Sequence, residues 1–228
     1  EAAAVTQLGR TFTCQNIKTF NELYYFTGLT AIDDNAFEGC TQLTTLKLPK
    51  TLQSIGKASF SGCTRLHTLV LPDGLTAIGE EAFSGCSVLS NLDLPQGLTA
   101  IEARSFKDCA RMSSVSLPIG VTSIGDAAFS GMSALQTFTL NTIEPSDIVL
   151  GSSVFAGTDL SQATLVCQQG TRNWLGSTEQ WQDFGNMREL RNLDFTFSLD
   201  DYGTGYSNAS YIFNMDFNII KIDKSILW

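Results

Sequence analysis

Apolar and polar residues alternate across Leu46, Lys47 and Leu48, and Leu43 completes an apolar set just upstream. In a strand, successive side chains face opposite sides. The pattern predicts a short strand with Leu43, Leu46 and Leu48 inward and Thr45 and Lys47 outward. Pro49 closes it, because proline has no N–H to give to a ladder. Upstream, Ala36 and Phe37 place one small and one large apolar side chain on the opposite wall. A unit this small cannot bury its own apolar side; stacked neighbours can.

The neighbours are in the sequence. "GLTAIDDNAFEGCTQLTTLKLPK" from Gly28 is followed by "TLQSIGKASFSGCTRLHTLVLPD" from Thr51 and "GLTAIGEEAFSGCSVLSNLDLPQ" from Gly74. "GLTAIEARSFKDCARMSSVSLPI" from Gly97 and "GVTSIGDAAFSGMSALQTFTLNT" from Gly120 keep the same 23-residue register. A degenerate sixth unit runs from Ile143 to about Gly170, where Phe155 and Gly157 echo the earlier step. A period of about 20–29 residues with Leu-x-x-Leu-x-Leu is a leucine-rich-repeat signature. The predicted fold is a leucine-rich-repeat solenoid with 23-residue repeats and a parallel sheet on one face, its strands stacked at ~4.8 Å. Phe37, Phe60, Phe83, Phe106 and Phe129 should stack into a spine.

The unit resembles the bacterial leucine-rich repeats of the BspA-like type, carried by "LTAIGEEAFSGCSVLSNLDLP". The resemblance covers about residues 5–187. It implies an entry segment over 1–27 ("FNELYYFTGLTAI"), repeats over 28–170 and a C-terminal cap over 171–187, where Trp181 and Phe184 cover the last repeat. It also implies a surface-attached or secreted bacterial protein whose partner is a protein or glycan, host-derived ligands among them.

Composition narrows the classes. Net charge is −9 and no basic run is present, so nucleic acid is excluded as a natural partner. No apolar run reaches the ~18–20 residues of a membrane span. The first residue is Glu1, which reads as a processed or trimmed chain. Cys40, Cys63, Cys86 and Cys109 share one slot of the repeat, and Met132 takes the fifth. Methionine suits an apolar slot and cannot bridge, and the interval does not fit zinc spacing. The four are expected to be free, buried thiols in one line, in a slot where a serine hydroxyl finds no partner. Cys14 and Cys167 fall outside the register.

The outward strand positions form two columns: Thr45, Thr68, Asn91, Ser114 and Thr137, then Lys47, Val70, Asp93, Ser116 and Thr139. They read as a solvated sheet of good β-formers, or as a shallow binding face without aromatic anchors. His67 has no nucleophile or carboxylate at motif spacing, so it reads as a surface residue. No nucleophile–base pair stands in the repeats.

After Met187 the register ends. "RELRNL" reads as a helix end, followed by a strand near 195–199, a glycine-rich loop, a helix near 206–214 and a strand near 218–223. This is a short βαβ unit of TIM-barrel type over 188–228. "LDDYGTGYSN" and "IIKIDKSIL" resemble the EAL-type phosphodiesterase domain, which hydrolyses cyclic di-GMP within a TIM-like barrel. The resemblance implies that Asp200 and Asp201 match metal-binding aspartates and that Lys221 matches the lysine that positions water. Tyr202 replaces the usual phenylalanine. The Glu-x-Leu-x-Arg strand and the other metal-bearing strands are absent. Metal-assisted phosphodiester cleavage needs ligands converging from several barrel strands. The fragment is expected to be non-catalytic and to need no cofactor. Magnesium or manganese enters only if the chain is a split or oligomer-completed phosphodiesterase; a purely structural spacer is a third reading. The EAL resemblance implies the cytoplasm and the repeats imply the outside; a natural mosaic, an assembly error and an engineered fusion would each join them. The apolar tail is expected to dock on the C-terminal edge of the stack or to self-associate.

Overall fold

A computed structural model describes residues 2–142 and 147–190. The predicted 195–199, 206–214 and 218–223 elements, with Asp200, Asp201 and Lys221, lie outside the described residues. The chain divides into two units, 1–192 and 193–228, and the first is a solenoid.

The leucine strands stack in parallel as predicted. β1 (Thr19–Phe20) pairs with β3 (Thr45–Leu46), and single bridges carry the line on through Thr68 to Asn91. Further along stand β7 (Ser114–Leu117), β9 (Thr137–Leu140), β11 (Thr164–Cys167) and β12 (Asn186–Glu189). Leu43, Leu46 and Leu48 are buried, and Lys47 is exposed.

The expectation of a sheet on one face is incomplete. A second parallel ladder runs through the "TAI" step: β2 (Ala31–Ile32), β4 (Ser54–Ile55), β5 (Ala77–Ile78), β6 (Ala100–Ile101), β8 (Ser123–Ile124) and β10 (Val149–Leu150). Each strand is two residues long, too short to show alternation; stacking alone makes it a strand. A third line of coil-to-coil bonds follows the phenylalanines, such as Phe37 N–H to the Ser59 carbonyl at 2.7 Å and Phe83 N–H to Ser105 at 2.8 Å.

Those phenylalanines form the predicted spine, with centroids 5.2 to 5.7 Å apart from Phe37 to Phe129 and planes within 9°. It is longer than predicted. Phe12 stacks on Phe37 at 5.3 Å and 6°, so the entry segment contains a coil of its own. Cys14 sits in that coil with φ 56°, where later coils have a left-handed glycine such as Gly39. At the other end Phe155 follows Phe129 at 6.1 Å, and Trp181 and Phe184 pack onto Phe155. Arg188 and Glu189, read as the start of a helix end, belong instead to β12 together with the last cap residues: β11 offers a free edge, and Asn186–Glu189 pairs with it in register.

The cysteines correct a second expectation. All four ladder thiols are free and buried, but their slot is not purely apolar. Each Sγ–H donates to a phenylalanine carbonyl of the preceding coil: Cys63 to Phe37 at 3.2 Å, Cys86 to Phe60 at 3.2 Å and Cys109 to Phe83 at 3.3 Å, with Cys40 to Phe12 at 2.9 Å. In the degenerate unit the slot holds Thr158, whose hydroxyl donates to Phe129 O at 3.1 Å. A hydroxyl thus finds a partner here. Cys86→Ser should cost under about 1 kcal/mol, and Cys86→Ala, which removes the thiol's bond to Phe60 O and leaves a small void while that carbonyl keeps the Cys63 N–H, about 1–2 kcal/mol. Denaturant midpoints of the two variants check the order. Burial raises the thiols: Cys63 and Cys109 are pushed up to about 12, and Cys86 well above its ordinary value.

Both ladders break at one seam. Among the described residues β5 does not pair with β6, nor Asn91 with β7. On the "TAI" side the break coincides with a change in the residue after the isoleucine. Gly56, Gly79, Gly125 and Gly151 hold that position, and a Cβ on them would meet the previous coil's backbone at 2.8, 2.7, 2.5 and 2.5 Å. The fourth coil has Glu102 there, a residue with the Cβ that the glycine positions have no room for. The seam keeps Phe83–Phe106 stacking at 5.6 Å and ion pairs from Arg104 to Glu80 and Glu81. Glu102→Gly should let the ladders join. Several backbone bonds gained, less the entropy cost of glycine, give a stabilisation of roughly 1 kcal/mol. A rise in melting temperature, with slower amide exchange at 99–102 and 113–114, is the expected result.

Candidate functional site

The outward columns of the leucine strands lie on one side of the coils, with the strand pairing interrupted between Asn91 and Ser114. Thr68, Asn91, Ser114, Lys47, Val70, Asp93 and Ser116 are exposed, and Thr45, Thr137 and Thr139 are half-buried. The inward leucines beneath them are buried.

The aromatic anchors that this face lacks in the repeats come from outside them. A short 3-10 turn over Asn21–Tyr25 directly follows β1 and buries Leu23. This anchor leaves Tyr24 and Tyr25 outside, packed edge to face at 5.6 Å and 82°. Tyr24 then walls a groove of about 750 Å³ whose other lining residues include Thr45, Lys47, Lys50, Val70 and Asp73. The volume lies within the ~300–1,000 Å³ range of small-ligand sites. Val70 is 76% exposed, the largest exposure of any large hydrophobic residue among those described. The strand register gave Lys47 and Val70. The tyrosines were missed because they precede the first repeat; the doubled tyrosine beside a strand was the available signal.

A second, shallower hollow on the strand-entry edge of the same face is lined by Thr44, Arg65, His67, Val88, Ser90 and Arg111. His67 is exposed and its Nδ1 lies 3.0 Å from Thr68 Oγ1. The hollow gathers two arginines beside His67.

Charge is divided between the two sides of the coils. Over residues 28–142 the leucine-strand side carries Lys47, Lys50, Arg65 and Arg111 against Asp73 and Asp93. The side bearing the "TAI" and phenylalanine steps carries three cations against eight carboxylates. The face with the groove is thus cationic on a chain of net charge −9. Among the described residues no cluster of His, Cys, Asp and Glu could hold a metal ion, and no helix is long and apolar enough to cross a membrane.

Comparison with known proteins follows this division of the chain. The BspA type leucine rich repeat region matches as six copies over residues 30–161. The EAL domain matches residues 156–227, a span that begins within the last coils of the solenoid. A leucine-rich-repeat protein from T. pallidum superposes with a TM-score of 0.49 at 29% identity, covering 61% of this chain and 68% of that one. The pneumococcal vaccine antigen PcpA gives a TM-score of 0.51 at 17% identity, covering 76% and 56%. An uncharacterized protein of Sinorhizobium fredii, y4lL, is 42% identical over 41 residues, which are 18% of this chain and 5% of that protein. The chain therefore spans a small part of this curated relative.

Proposed function

The chain belongs to the BspA-type leucine-rich-repeat family, and from that premise we propose that it is a non-enzymatic interaction module whose ligand docks on the leucine-strand face. The observation that carries the reading is the groove. An exposed valine stands in an otherwise polar column, beneath a tyrosine supplied by the entry coil. A purely structural spacer has no use for an exposed apolar residue that shares a groove with an exposed aromatic. Family membership supports a surface-exposed or secreted setting. Binding of the chain to an array of peptides and glycans tests the proposal. Val70→Asp and Tyr24→Ala, both exposed and neutral to folding, should abolish the selected binding. Equal binding by wild type and both variants would refute the groove.

In the same proposal the EAL-like segment is non-catalytic. Asp200, Asp201 and Lys221 match its motifs, while the Glu-x-Leu-x-Arg strand and the remaining ligand-bearing strands have no counterpart in the sequence. A mononuclear or binuclear metal site assembled from only two adjacent aspartates lacks the convergent ligands that phosphodiester hydrolysis requires. The expected result is no cyclic di-GMP hydrolysis above background with magnesium or manganese. Turnover lost in Asp201→Asn and Lys221→Ala would establish the completed-barrel phosphodiesterase instead.

A further inference from the structure

We infer that the ligand of the leucine-strand face is an acidic polypeptide segment with an apolar anchor residue; the inference rests on the groove reading above. Charge is the first reason. The face is cationic although the chain as a whole is −9, and the acids are concentrated on the opposite side of the coils. Such separation attracts an anionic partner and orients it towards one face. The cations also have positions suited to this. Lys47 and Lys50 line the groove, and Arg65 and Arg111 line the hollow on the opposite edge of the strands. Arg65 and Arg111 belong to the second and fourth repeats, two coil steps apart, or roughly 10 Å at strand spacing. An extended chain covers that distance in about three residues. A carboxylate pair about three residues apart can therefore meet Arg65 and Arg111, and a carboxylate beside the anchor can meet Lys47 or Lys50 in the groove that Val70 lines.

The anchor is the second reason. Val70 is open to solvent between those groups, and Leu48, Leu71 and Pro72 extend the apolar lining of the groove. A leucine or phenylalanine side chain on the ligand would cover Val70 and contact Tyr24. This combination favours peptide over glycan. The tyrosines pack against each other edge to face, and the floor is aliphatic. A sugar site needs a flat aromatic platform with carboxylates or amides to hold its hydroxyls, and among these lining residues only Asn21 and Asp73 are of that kind.

The test is fluorescence anisotropy with the full chain and a labelled peptide in which glutamates flank a central leucine. Three further probes are the same peptide with lysines for glutamates, with serine for the leucine, and a sulfated oligosaccharide. The acidic leucine peptide should bind, and Lys47→Glu and Lys50→Glu should each weaken it roughly tenfold. Val70→Asp should weaken it at least as much, added salt should weaken it further, and Lys57→Glu on the opposite side should leave it unchanged. Matching melting temperatures exclude misfolding of the variants. Equal or tighter binding of the lysine peptide, no binding of the acidic peptide, or indifference to Lys47→Glu and Lys50→Glu would overturn the inference. Binding of the oligosaccharide alone, still sensitive to Val70→Asp, would overturn the ligand class and leave the groove standing. Indifference of every bound probe to Val70→Asp and Tyr24→Ala would overturn both.

Discussion

Replacing Phe83 with alanine is expected to destabilise the solenoid by about 3–5 kcal/mol. Its ring is fully buried in the middle of the spine, 5.4 Å from Phe60 and 5.6 Å from Phe106, stacked nearly parallel to both. The void cannot close by collapse, because the Phe83 N–H is tied to Ser105 and its carbonyl accepts the Cys109 thiol. The position also borders the seam at Glu102, where both ladders are already interrupted. Stability in a stacked array is a sum of unit and interface terms. Weakening this interface should therefore separate the unfolding of the two halves. Chemical denaturation should show a broadened or two-step transition in Phe83→Ala and a single one in the parent. Phe83→Leu, which refills most of the volume, should cost markedly less. A loss below about 1 kcal/mol for Phe83→Ala would mean that the spine is not a principal source of stability.

Alkaline solution is expected to have the second large effect. An unfolded thiol titrates near 8.5. In the fold Cys63 and Cys109 are raised to about 12 and Cys86 is raised as well, chiefly by burial. The fold therefore holds protons that the unfolded chain gives up. Stability from the ladder is complete below about pH 8.5 and is lost as pH rises towards about 12. Each thiol contributes up to about 1.4 kcal/mol per pH unit across that window. Three together give a loss of roughly 3–4 kcal/mol between about pH 9 and 10. Denaturant unfolding measured at these two pH values, beside a chain with threonine at positions 63, 86 and 109, isolates the effect. The Thr158 hydroxyl in the same slot is the precedent for the replacement. Equal pH dependence in the two chains would show that the thiols do not carry it.

The repeats were readable in the sequence because their information is redundant. Phe37 or Cys40 alone says little, but the same residue types returning at the same interval specify the spine and the thiol line. What escaped reading occurs once or is too short to have a period. The "TAI" strands are two residues each. The entry coil keeps Phe12 and Phe20 but has Cys14 in place of glycine and a different spacing. β12 pairs only because β11 exposes an edge. The carbonyl acceptors of the thiols could not be found from residue identity, since they belong to the backbone of the coil before. The candidate groove was half legible for the same reason. Lys47 and Val70 stand in the repeat register; Tyr24 reaches them only through the fold of Asn21–Tyr25. The seam shows the reverse case: Glu102 is a visible departure from the glycine column, but its meaning depends on how closely adjacent coils approach.

The claim that this chain works through its leucine-strand face is tested most directly by amide hydrogen exchange with and without the tightest binder from the array. Binding should slow exchange at 21–25, 45–50 and 68–74, the segments that build the groove, and leave 33–38 and 79–85 on the opposite side unchanged. Protection confined to the opposite side, or to residues 193–228, would contradict it.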